Sequence, residues 1–217
     1  HIPFGLSILS RFEGIGWGYH TTVQGELHDR ELFWPRGKTL GGSSSVNAMC
    51  YIRGQKEDYD RWALEGAEGW GFDEVLPYFK RSENYYQGED DYHGVGGPLH
   101  VSPLTDTSRL SDAFLAAAPA ADLAVLDDFN RDVREGLGYY HVTQVNGQRC
   151  STAKGYLSQA KHRGNLVILT KVVVEKVLIK NKCAIGVQAR EKGSVKRYAA
   201  RQEVILCGGA INSPHLL

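Results

Sequence analysis

The sequence predicts an α/β (α+β) fold on three observations. Residues 56–65 (KEDYDRWALE) have a helical pattern, with Tyr59 and Trp62 three apart on one face. The last sixty residues or so change character and read as short strands rich in Val, Ile and Leu. The apolar run Val204–Cys207 is followed by Gly208-Gly209 and a helix start at Asn212-Ser213-Pro214, the order of a ligand-facing crossover. With 42% hydrophobic and 23% charged residues over 217 positions, the chain fits one large domain or two small ones and not a disordered segment.

The elements follow in order. Residues 1–36 carry aromatics (Phe12, Trp17, Tyr19, Phe33, Trp34) without periodicity and read as extended segments and loops. Residues 37–47 are dense in Gly and Ser. Beyond the 56–65 helix, Asp73 reads as an N-cap ahead of Glu74 and Val75-Leu76-Pro77-Tyr78-Phe79, with Pro77 in the first turn, where a helix tolerates it. Residues 85–98 are rich in turn formers and read as a loop. Ser108 or Ser111 caps a helix to about Leu126, which Pro119 kinks or breaks. Tyr139–Val145 alternates as a strand, and Ser151–Ala160 reads as a short helix. Strands are expected at Leu166–Leu169, Val172–Lys180, Cys183–Arg190, Val195–Ala199 and Glu203–Cys207. Asn181-Lys182 supplies a tight turn that makes 172–190 a hairpin.

Charge and motifs exclude several functions. Twenty-five Lys and Arg balance 25 Asp and Glu, so no broad surface for nucleic acid or anionic lipid is expected. No apolar run approaches the ~20 residues of a spanning helix. Cys50, Cys150, Cys183 and Cys207 form no C-x-x-C pair and read as free, mostly buried thiols. The eight histidines lack metal-ligand spacing, so no metal site is expected. Gly37-Lys38-Thr39 lacks the first glycine of a P-loop, because position 32 is Leu. Gly14, Gly16 and Gly18 fail the G-x-G-x-x-G pattern, because position 19 is Tyr. Asp90-Asp91 reads as a solvated loop. The chain begins at His1 and its only methionine is Met49, which reads as a piece of a longer protein.

One motif survives. Residues 36–60 read RGKTLGGSSSVNAMCYIRGQKEDYD. Gly41-Gly42 lets the backbone approach something flat or bulky. Ser43, Ser44 and Asn47 offer hydroxyl and amide groups with backbone N–H groups between them, a cluster able to hold a polar heteroaromatic edge or an anion. The competing reading is a flexible Gly/Ser linker. Trp34-Pro35 on one side and the apolar run Met49-Cys50-Tyr51-Ile52 on the other argue against it.

This stretch resembles the first signature of the glucose-methanol-choline (GMC) oxidoreductases, at Gly37, Lys38, Leu40, Gly41, Gly42, Ser43, Ser44, Val46, Asn47, Tyr51, Gly54 and Asp60. Gly209–Leu217 resembles the opening of the second signature. Between them, Asp91-Tyr92-His93-Gly94 with Gly97-Pro98, Asp127–Asn130, Arg149–Thr152 with Gly155–Leu157, and Thr170–Val177 resemble family landmarks in the right order. The choline-dehydrogenase-like branch is the most similar.

The resemblance implies a partial FAD-binding Rossmann-like domain with part of an antiparallel-sheet substrate domain. It divides the chain into a flavin-contacting loop and helix (36–60), a substrate-domain-associated segment (85–160) and strands returning to the FAD domain (166–217). It implies hydride transfer from a small-molecule alcohol to FAD, with oxygen or a quinone-like carrier as electron acceptor. It places Leu40, Gly41, Gly42, Ser43, Asn47, Ala48, Met49 and Cys50 along the flavin and the backbone of Val174 at the adenine. Val46 stands where some members attach FAD through a histidine, so FAD is expected to be non-covalent. The resemblance implies that the family's G-x-G-x-x-G turn is to be expected upstream of His1 and its catalytic histidine beyond Leu217, so no catalytic residue is assigned. His93 and His100 are expected in structural or loop roles. The fragment alone is expected to be inactive and poorly soluble, and the parent cytoplasmic or peripheral to an inner membrane. A cyanohydrin lyase, a photodecarboxylase or a cofactor-free interaction protein are the alternatives.

Overall fold

The computed structural model describes residues 14–217, which form two compact units dividing between His162 and Arg163. Phe12 lies outside the described residues.

In the first unit, β1 (Tyr19–His20) pairs antiparallel with β2 (Phe33–Trp34). Helix α1 (Lys56–Leu64) opens on a capping box in which the Gln55 N–H donates to Asp58 Oδ2 at 2.9 Å. Helix α2 (Phe72–Ser82) starts earlier than expected. Its cap is Gly71, whose N–H donates to Glu74 Oε2 at 2.9 Å, while the Phe72 N–H donates to Asp60 Oδ1 at 2.9 Å. Asp60 on α1 therefore satisfies an open N–H of α2, and Asp73 is left inside the first turn. Pro77 consequently falls in the second turn of α2 and not the first. Tyr59 packs against Trp62 at 5.3 Å and against Phe79 at 5.8 Å, so the predicted aromatic face joins the two helices.

Strand β3 (Glu83–Tyr85) pairs in parallel with β4 (Leu99–Val101), Glu83 opposite Leu99. The intervening stretch is a loop without a helix, as expected from its turn residues. Helix α3 (Arg109–Ala117) is capped by Ser108, whose Oγ accepts the Leu110 N–H at 3.3 Å. It ends well short of Leu126. The chain tightens into a 3-10 turn over Ala118–Ala121 at Pro119, and Asp122 turns left-handed at φ 55°. Of the predicted strand 139–145, only β5 (Gln144–Val145) pairs regularly, with β6 (Gln148–Arg149). Val142 bridges both Cys50 and Ser102 one residue at a time. The predicted 151–160 helix contains a π-helical turn over Ala153–Leu157.

The second unit is an antiparallel meander of β7 (Val172–Lys180), β8 (Cys183–Glu191) and β9 (Ser194–Ala199). Asn181 and Lys182 have φ of 51° and 64°, which fits the tight turn expected there. Residues 166–169 and 203–207 are not strands: no neighbouring strand pairs with either among the described residues, and apolar composition alone cannot supply ladder partners. Helix α4 (Gly209–Leu216) begins three residues before the expected Asn212. Ser213 Oγ accepts the Gly208 N–H at 3.0 Å and draws the start of the helix back. Of the four cysteines only Cys150 is buried. Cys50, Cys183 and Cys207 lie on exposed loops or element ends, contrary to the expectation of buried thiols. Among the described residues no helix is long and apolar enough to cross a membrane, and no cluster could hold a metal ion.

Candidate functional site

The loop from Gly37 to Cys50 depends on glycines for different reasons. Gly37 is buried, and a Cβ there would lie 2.3 Å from the Gly42 carbonyl oxygen. Its N–H donates to Ser43 Oγ at 3.2 Å. Gly41 has φ +87°, and a Cβ on it would lie 2.4 Å from Ser45 Oγ. Gly42 has φ +53°, but the side its Cβ would take is open space. Together they turn the chain into the 3-10 helix Gly42–Ser45.

Residues from 141 to 152 hold this loop from behind. Thr152 N–H donates to Ser44 Oγ at 3.0 Å, and Ser44 Oγ donates to the Gly41 carbonyl at 2.5 Å. Thr152 Oγ1 donates to the same carbonyl at 3.3 Å. Arg149 Nη1 donates to Asn47 Oδ1 at 2.7 Å and to the Ser44 carbonyl at 3.2 Å. Asn47 Oδ1 also accepts the Met49 N–H at 3.1 Å, which steadies Met49 at a left-handed φ of 66°. Tyr51 N–H donates to the His141 carbonyl at 2.8 Å, and Thr143 N–H to the Met49 carbonyl at 2.9 Å. Cys50 between them faces Val142 as a non-hydrogen-bonded pair, so its own N–H and C=O turn away from that neighbour.

The structure thus brings eight of the nine predicted residues into one loop. Leu40, Ser43, Asn47, Ala48 and Cys50 are exposed, Gly41 and Gly42 half-buried, and Met49 buried. Val174 lies in the second unit, on edge strand β7 opposite Ala189, beside a bulge between Val174 and Lys176. Sequence reasoning left out Arg149 and Thr152 as site residues. One signal for Arg149 was available: no Asp or Glu occurs between Glu135 and Glu175. Burial lowers the Arg149 pKa, with no opposing charge beside it.

A second polar group lies under the same unit. His93 is fully buried, with Nδ1 3.0 Å from Glu83 Oε1 and Nε2 2.7 Å from Asp128 Oδ2. Ionised carboxylates only accept, so both ring nitrogens carry protons and His93 is an imidazolium. Burial alone would lower its pKa, but the hydrogen bonds to Asp128 and Glu83 outweigh burial and raise it. Burial raises the Asp128 pKa, yet His93 and the Asn130 N–H overcome this and bring it down to about 2. Arg53 Nη2 donates to Glu83 Oε2 at 2.8 Å. Arg131 joins Asp128 at 3.2 Å and also Asp90. Burial lowers the pKa of neighbouring His141, against the opposing pull of Asp128. Asp90 is therefore not merely solvated: its Oδ1 accepts the Tyr92 and His93 N–H groups, each at 2.8 Å, while Asp91 is exposed. His100 Nδ1 accepts from Asn84 Nδ2 at 2.9 Å, a loop-holding contact as expected.

Known proteins match this architecture. The GMC oxidoreductase family matches residues 16–217. The chain is 43% identical to an alcohol dehydrogenase [acceptor] of Pseudomonas putida, covering 100% of this chain and 40% of that protein. It is 42% identical to the mitochondrial choline dehydrogenase of Homo sapiens, covering 100% of this chain and 36% of that one. The chain therefore spans about two-fifths of the length of these relatives. Among solved structures, a pyridoxine 4-oxidase from Mesorbium loti superposes with a TM-score of 0.92 at 32% identity, over 99% of this chain and 42% of the other. A formate oxidase superposes at 0.85 with 26% identity, over 100% and 39%. A match across nearly the whole described chain, with the loop at Gly37–Cys50 in place, establishes that this chain belongs to the GMC oxidoreductase family.

Proposed function

We propose that this chain is the flavin-holding part of an FAD-dependent oxidoreductase that oxidises a small alcohol, choline-like or a primary alcohol. The observation that carries the reading is the loop Gly41–Cys50. Open space faces Gly42, small or polar side chains flank it, and a buried guanidinium without a carboxylate lies behind it. These residues fit a flat, partly anionic group. Gly41 and Gly42 permit close backbone approach, and Ser43, Asn47 and the outward N–H of Cys50 offer polar contacts to its edge. When bound, FAD supplies the hydride acceptor for the alcohol carbon. Val46 carries no nucleophile, so the loop holds the group without a covalent bond at that position. The electron acceptor is oxygen or a quinone-like carrier, in keeping with relatives named for both oxygen and a generic acceptor.

The test is the absorption spectrum of the full-length protein, recorded without oxygen before and after adding choline and a panel of primary alcohols. Oxidised-flavin bands that bleach with one alcohol support the reading and name the substrate. A protein that stays colourless after FAD is added overturns it.

A further inference from the structure

Arg149 differs from every other buried cation in the described residues. It is 9% exposed, and no carboxylate among the described residues lies within ion-pair distance of it. Its Nη1 is held by Asn47 and Ser44, while Nε and Nη2 have no protein acceptor among the described residues and keep some solvent contact; Arg53 Nε, beside its Glu83 partner, is the fully buried atom left without one. A buried charge without a partner is costly. Arg53, by contrast, meets Glu83, and His93 meets both Glu83 and Asp128. Arg149 sits on β6, behind the loop of the candidate site, in a stretch of sequence free of acidic residues from 136 to 174.

We propose that Arg149 is a positioning residue of the flavin loop whose uncompensated charge favours the negatively charged reduced flavin, while its bond to Asn47 fixes the loop. This rests on the FAD reading above. Reduction adds negative charge to a flavin, and a fixed cation in a partly desolvated site lowers the free energy of that state. The same guanidinium shapes the loop, because Asn47 Oδ1 bridges it to the Met49 N–H.

The test uses the full-length, FAD-loaded protein and three variants: Arg149→Met, Arg149→Lys and Asn47→Asp. The flavin potential is measured by equilibration with a redox dye, and FAD dissociation separately by flavin fluorescence. Arg149→Met is expected to shift the reduced-to-oxidised equilibrium about tenfold toward oxidised, a drop of about 30 mV for a two-electron couple. Asn47→Asp keeps the shape of Asn47 and supplies the missing carboxylate, so it is expected to lower the potential to a similar extent. Arg149→Lys is expected to keep the potential and release FAD faster. An unchanged potential in flavin-loaded Arg149→Met overturns the proposal, as does an equal drop in Arg149→Lys. Where Arg149→Met does not fold, an unchanged potential in Asn47→Asp overturns it. In Arg149→Met, faster FAD release with an unaltered potential marks a tie that only shapes the loop and overturns the proposal. A wild-type protein that takes up no flavin is a different result, the failure of the FAD reading itself.

Discussion

His93 and Arg149 are both buried cations of the first unit, and the chain surrounds them differently. His93 has a carboxylate on each ring nitrogen, and around it Arg53, Arg131 and His93 are matched by Glu83, Asp128 and Asp90. Arg149 has only a side-chain amide and a backbone carbonyl. Where every charge is answered from within the chain, the group holds the fold. Where one is left unanswered beside an open loop, the answer comes from outside. One is a fully buried imidazolium and the other a guanidinium 9% exposed, and the carboxylates around the first and their absence around the second are what set the two apart.

This contrast can be broken at the cluster or at the loop. The largest effect is expected from Glu83→Ala, which strips a carboxylate from both Arg53 and His93 and is expected to cost about 3–5 kcal/mol. Chemical denaturation of the full-length protein reads it, and a loss under about 1 kcal/mol would show that the cluster does not hold the unit together.

Acid comes next. Asp128 has a folded pKa of about 2, below its unfolded value, so its stabilisation is present above pH ~4 and lost as pH falls toward 2. The shift is of order 2 kcal/mol. His93 has a raised pKa, so its contribution is complete below its unfolded value and fades as pH rises through the folded one. Asp128→Asn should flatten the acid limb of a stability–pH profile, and an unaltered limb would assign it to other groups.

At the loop, Gly37→Ala puts a methyl 2.3 Å from the Gly42 carbonyl and is expected to cost about 1–3 kcal/mol and to weaken flavin retention. Flavin release on dilution reads this, and full retention would detach Gly37 from the site. Ser44→Ala, the smallest change, removes one hydroxyl from the Gly41 and Thr152 contacts and is expected to cost about 1 kcal/mol. A thermal shift of the full-length protein checks it.

What the sequence made legible was local. The Gly-Gly-Ser loop, the aromatic pair Tyr59 and Trp62, the Asn181-Lys182 hairpin and the Ser108 cap all arise from residues close together in the chain. What it concealed depended on distant partners. Glu83 bonds across 30 residues to Arg53, and Asp128 across 35 to His93, so no local pattern marked either carboxylate as half of a buried ion pair, although Asp128 fell within a stretch resembling a family landmark. The start of α2 moved because Asp60 reached it from the preceding helix. Residues 166–169 and 203–207 have strand composition, but a strand is a pairing and not a composition.

The ties behind the loop also set an order of events. Ser44 meets Thr152 across 108 residues, Asn47 meets Arg149 across 102, and Met49 meets Thr143 across 94. While the chain emerges from a ribosome, Gly41–Met49 leaves the exit tunnel with none of these partners yet made. At about 5–20 residues per second, the wait for residue 152 lasts about 5–20 s. Throughout that interval the loop has only its own short-range bonds, such as Gly37 to Ser43 and Ser44 to Gly41, and the ties from behind are added as the hundred residues after it arrive.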